Sequence, residues 1–219
     1  MVYAANDIAS VMIARSGSFI GAMQLQKLLY YVQAWHLAVT DRPLFAEECR
    51  AWTDGPVVAE VWTARKNPDT RAAGRRITIE LDETASDLVD LVLRTYGSMS
   101  GDELSALTHA EIPWRDARKG LADDAPSDRP ISRDAMAKFY RTHRRLGGRT
   151  AADLAAIGVL VPSPGEPDPF DIDAFLDELG PEFQDPGVDL YGGGNLEIPD
   201  SHDTTGIATA AQRRYADDI

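Results

Sequence analysis

The run Leu25-Gln26-Lys27-Leu28-Leu29-Tyr30-Tyr31-Val32-Gln33-Ala34-Trp35-His36 is apolar nearly all the way round a helix. Leu25, Leu28, Val32, Trp35 and Val39 form one stripe at helical spacing, and Leu29, Tyr31 and Ala38 widen it. Only Gln26, Lys27, Gln33 and His36 interrupt it. A helix of this kind lies at the centre of a domain, covered on every side by other elements. The pattern predicts a central helix from about Gly21 to Thr40, broken by Asp41-Arg42-Pro43.

The flanking residues predict what covers it. Ile8, Val11 and Met12 mark the inner face of a first helix capped by Asn6 or Asp7, with Gly17 ending it. Cys49 to Trp52 reads as extended and leads into the turn Asp54-Gly55-Pro56. Pro56 is expected as the first residue of a third helix, Val57 to Lys66. Arg76 to Leu81 alternates with period two, which predicts a half-buried strand pairing with Cys49 to Trp52. Thr84 with Asp87, and the capping box Ser100 with Glu103, open two further helices. Trp114 to Lys119 forms a short one, and Ser132 caps the last, which carries Met136, Phe139 and Tyr140. The expected fold is mainly α: about six helices with a small antiparallel β-sheet over residues 1–148, then an extension over 149–219.

Two ordered, tryptophan-bearing motifs sit on this framework. Lys27, Leu28, Tyr30, Gln33 and Trp35 belong to K-L-L-Y-Y-x-Q-A-W, followed by Trp52, Gly55, Pro56 and Val57 in A-W-x-x-G-P-V. Leu107, Thr108 and His109 end an L-x-x-L-T-H, with Pro113 and Trp114 close behind. This succession resembles the SocA-like antitoxin family, or Panacea domain, over about the first two thirds of the chain. The resemblance implies the antitoxin of a toxin–antitoxin pair, which neutralises a cognate protein toxin by direct binding. It also implies, as an alternative, an adaptor that delivers a toxin to an ATP-dependent protease.

Charge divides the chain sharply. Residues 1–149 hold 20 acidic and 20 basic side chains, whereas residues 150–219 hold 15 acidic and only Arg213 and Arg214 as bases. The whole net charge of -13 therefore belongs to the last third. Such a segment repels phosphate backbones and attracts basic protein surfaces, which argues against nucleic acid as its partner. The basic stretch Arg141 to Arg149 keeps a DNA-binding autoregulator as a further reading. Within the extension, Ile172, Phe175, Leu176 and Leu179 fall at helical spacing, with Asp171, Asp173, Asp177 and Glu178 on the other faces. This short acidic amphipathic helix, in a partly disordered extension rich in Pro, Gly and Asp, must dock on something to be stable. A toxin groove and the chain's own Arg141 to Arg149 both remain open as its seat.

No apolar run approaches the roughly 18 residues of a membrane span. Asp7 stands where a signal peptide would carry positive charge, and the lone Cys49 fits a reducing compartment, so a cytoplasmic protein without a membrane partner is expected. His36, His109 and His143 have no partners at metal-ligand spacing, and no phosphate-binding or nucleophile motif occurs, so no metal, cofactor or catalytic group is expected. An enzyme built on Asp54, His36 and His109 is the competing class. Gln26, Tyr30 and Gln33 read as a buried polar set, and Trp35, Trp52, Trp62 and Trp114 as core anchors.

Overall fold

A computed structural model describes residues 1–66 and 79–157. Among these the order is α1 (Ala5–Arg15), α2 (Ala22–Thr40), β1 (Cys49–Trp52), β2 (Gly55–Val58), α3 (Ala59–Lys66), α4 (Glu83–Tyr96), α5 (Gly101–His109), α6 (Ile112–Arg118), α7 (Arg133–His143) and α8 (Ala151–Ile157). The protein is mainly helical, with one small antiparallel sheet.

α2 is the axis of the fold. From Leu25 to Ala38 every residue is buried, and α1, α4, α5, α7, α8 and β2 all pack against it. Its C-terminus turns on Asp41, whose φ of 60° is left-handed. The exposed end carbonyls of Leu37 and Ala38 receive the Arg141 guanidinium from α7, which also pairs with Asp41. A cation at a helix C-terminus meets both the unused carbonyls and the negative end of the dipole.

The expected capping signals hold at several ends. Ser100 and Glu103 form a reciprocal box at α5, and the Ser132 hydroxyl accepts from Ala135 N–H at α7. Two starts differ. α1 begins at Ala5, whose N–H donates to the Glu47 carboxylate at 3.0 Å instead of to a local cap. α4 begins at Glu83 behind Asp82, whose carboxylate accepts from Ala85 N–H.

The sheet corrects the sequence reading. β1 pairs with β2 across a tight hairpin, in the register Cys49 to Val58 and Trp52 to Gly55. Residues 79–81 are not a strand; Ile79 and Leu81 lie partly buried against the core, and Arg76 to Thr78 fall outside the described residues. The outer edge of β1 is bonded by residues 129–131, with Ala51 N–H donating to Arg129 O and Ile131 N–H to Cys49 O, both at 2.8 Å. Pro56 is a strand residue, not the first of a helix. It stands opposite Ala51, whose own N–H points away to Arg129, so its missing N–H removes no ladder bond.

Helical packing also continues past the Gly147-Gly148 pair. Thr150 and Asp153 cap each other's backbone at the start of α8, and Ala151 and Leu154 are buried against the core. The amphipathic segment Asp171 to Leu179 lies outside the described residues.

Candidate functional site

The polar residues of α2 are arms, each gripping a different neighbour. Gln26 accepts from Val58 N–H at 2.8 Å and so holds β2. Gln33 accepts from Leu44 N–H and donates to Phe45 O, fixing the chain after α2. Tyr30 donates to the Glu111 carboxylate at 2.8 Å, and Tyr140 from α7 donates to the same group. Arg144 lies 3.5 Å from it. Glu111, Tyr30, Tyr140 and Arg144 are all buried, so this cluster pins α2, α7 and the start of α6 together. Burial pushes the Glu111 carboxyl above its ordinary range, against the Arg144 charge and the tyrosine hydroxyls, which favour the anion. Tyr31 stacks on Tyr96 at 4.1 Å, and Trp35 meets Tyr140 edge to face at 5.3 Å.

Lys27 reaches the other way, beneath the hairpin. Its ammonium is buried and donates to Pro56 O at 3.4 Å. Burial lowers its pKa to about 8, and the Asp54 carboxylate opposes that fall only in part. Gly55, with φ 98°, lets the turn sit directly on the lysine and on Thr108 of α5. The Ser105 hydroxyl donates to Asp54 O at 2.8 Å, tying the turn to α5. His109 stacks on Trp114 at 4.1 Å, and burial together with the Lys27 charge lowers its pKa to about 4, so the ring is neutral at pH 7. Trp114 in turn donates to Trp52 O at 3.1 Å, and the Arg118 guanidinium lies 5.1 Å from its ring.

Both sequence motifs therefore meet at one junction. Lys27, Gly55, Pro56, Thr108, His109 and Trp114 join α2, the hairpin, α5 and α6, while Leu28, Val57, Leu107 and Pro113 are buried behind them. Trp35 alone of the four tryptophans is fully buried; Trp52, Trp62 and Trp114 are half-buried at the surface. Glu111 and Arg118 are central to the packing and were not singled out from sequence. Arg144 is buried rather than part of an exposed basic stretch.

The histidines occupy separate environments. His36 sits against Arg42 O at 2.6 Å, and His143 stacks on Phe139. Among the described residues no three His, Cys, Asp or Glu side chains are placed to hold a metal, and no helix is long and apolar enough to cross a membrane. A cleft of about 580 Å³ opens between β1 and the start of α7, bordered by Cys49, Ile131 and Met136. Burial pushes the Cys49 thiol up to about 12, which leaves it without nucleophilic character at neutral pH.

Residues 25–115 match the family described as antitoxin SocA-like, Panacea domain. This segment is similar to the Panacea domain. It runs from the start of the buried part of α2 to the residue after Trp114, and so takes in both motifs and the whole Lys27 junction. No curated protein and no solved structure matched the chain.

Proposed function

We propose that this protein is the antitoxin of a toxin–antitoxin pair and neutralises a co-produced protein toxin by binding it directly. The match of residues 25–115 to the SocA-like Panacea family carries the reading. Two physical features support it. The Panacea segment is cross-braced by buried polar contacts, which gives a rigid platform that loses little freedom on binding. The acidic excess of residues 150–219 suits a toxin that presents Lys and Arg to nucleotide or RNA phosphate, since an acidic ligand matches that surface in charge.

In this mechanism the folded domain and the acidic extension act together in the cytoplasm. Ile172, Phe175, Leu176 and Leu179 seat in a toxin groove, and Asp171, Asp173, Asp177 and Glu178 steer the encounter. The test uses the full chain and the purified product of the gene adjacent to its own. Phe175→Ala with Leu176→Ala should weaken binding at least tenfold while the free chain keeps its melting temperature. A melting temperature that drops while affinity holds would place the helix on this chain's own domain instead. A toxin half-life shortened by the partner would replace occlusion by delivery to a protease.

A further inference from the structure

We infer that the face around the hairpin turn is where the toxin docks, and that it receives an arginine- or lysine-bearing protein surface. The inference rests on the antitoxin reading and specifies where that reading acts. Trp52 and Trp62 meet edge to face with ring centroids 6.0 Å apart, and both stay half-exposed. The loop 122–128 is fastened alongside them. Thr53 donates to Ala125 O, and Arg118 donates to Ala51 O and to the carbonyls of Ala122, Asp123 and Ala125. Asp128 accepts the Trp52 indole N–H at 3.2 Å. Asp54 on the turn and Asp123, Asp124 and Asp128 on the loop fastened to it are exposed.

Several cations nearby are engaged by this chain's own acceptors. Arg118 is buried on its carbonyls, Arg50 pairs with Glu48 at 2.9 Å, and Arg129 folds back on Ala117 O and Lys119 O. The carboxylates of Asp54, Asp123 and Asp124 accept no hydrogen bond among the described residues. Outward, then, the turn and its loop offer half-exposed indoles close to exposed carboxylates, of which Asp54 also faces the buried Lys27. A guanidinium or ammonium gains from both at once, through the ring quadrupole and through charge-assisted hydrogen bonds. The chain itself demonstrates the first half, since Lys66 Nζ lies 5.4 Å from the Trp62 ring centre. Tryptophan and arginine are both enriched among the residues that anchor protein interfaces. Complementarity of charge selects a basic protein over an acidic one, and over nucleic acid.

The test is calorimetric titration of the full chain against the purified product of the adjacent gene, with the melting temperature of each free variant measured alongside. Asp123→Lys with Asp124→Lys changes only exposed side chains. It should leave melting unchanged, weaken binding at least tenfold and flatten its salt dependence. Trp62→Leu keeps apolar bulk but removes the aromatic face, and should weaken binding several-fold more than it shifts melting. Wild-type affinity in the Asp123, Asp124 double variant would place the toxin elsewhere and overturn the inference while the antitoxin reading stood. Absence of binding by the wild-type chain would remove the antitoxin reading and this inference with it. A double variant that melts several degrees lower would show the carboxylates serving this chain's own cations, and would equally overturn it.

Discussion

The end of the Lys27 side chain occupies the space that a side chain at position 55 would need. A Cβ on Gly55 would lie 2.7 Å from Lys27 Cε and 3.0 Å from Thr108 Oγ1, and the φ of 98° is itself unfavourable for any other residue. Gly55→Ala should therefore destabilise the fold by roughly 2–4 kcal/mol, from backbone strain plus overpacking. In urea denaturation, adding Lys27→Ala to Gly55→Ala should relieve the crowding part only, so the two changes are coupled. Strict additivity would contradict the contact.

The buried ammonium has a pH signature of known sign. With its folded pKa near 8, below the ordinary 10.5, Lys27 holds its proton less tightly in the fold than in the unfolded chain. Stability from this group therefore rises as pH goes from about 8 to 10.5, and the full penalty applies below 8. Lys27→Met should be more stable than wild type at pH 7 by up to about 3 kcal/mol. That advantage should vanish near pH 10.5, as read by melting curves across the range. Equal stability at pH 7 would mean the ammonium is not held at a disadvantage.

These two residues also mark how far the sequence could be read. The central helix was legible because Leu25, Leu28, Val32 and Trp35 repeat at helical spacing, and the caps at Ser100 and Ser132 because their side chains act locally. The motifs pointed to Lys27, Gly55, Thr108, His109 and Trp114, which meet at one junction. Their roles were not legible, since a lysine that interrupts an apolar stripe looks the same in sequence whether it is solvated or buried. Pro56 misled because proline suits a helix start as well as a strand position that donates nothing to its neighbour. Glu111 stood alone in sequence and acquires meaning only from Tyr30, Tyr140 and Arg144, which the fold brings to it. α8 had a signal, the Thr150 and Asp153 capping pair, that the glycines before it obscured.

Glu111 and Arg144 make a second energetic test. Glu111→Met leaves a buried guanidinium without its anion and should cost about 3–5 kcal/mol. The double change Glu111→Met with Arg144→Met removes both charges and should be markedly less harmful than the sum of the single changes. Chemical denaturation of the four species measures the coupling. A value near zero would show that the pair contributes nothing specific.

Limited proteolysis tests where the folded unit ends. Because Ala151 and Leu154 are buried, protection should reach Ile157 rather than stop at Gly148. Mass spectrometry should find a resistant fragment that retains α8. Cutting between Gly147 and Arg149 as the first event would show that α8 docks only weakly.

Neutralisation by direct contact would need no third component. The decisive measurement is the toxin's own activity in a purified two-component assay, titrated with this protein and nothing else. Activity should fall to background near a fixed stoichiometric ratio and return in high salt, where charge steering and ion pairing are screened. Full toxin activity at saturating amounts of this protein, lost only when an ATP-dependent protease is added, would contradict the account.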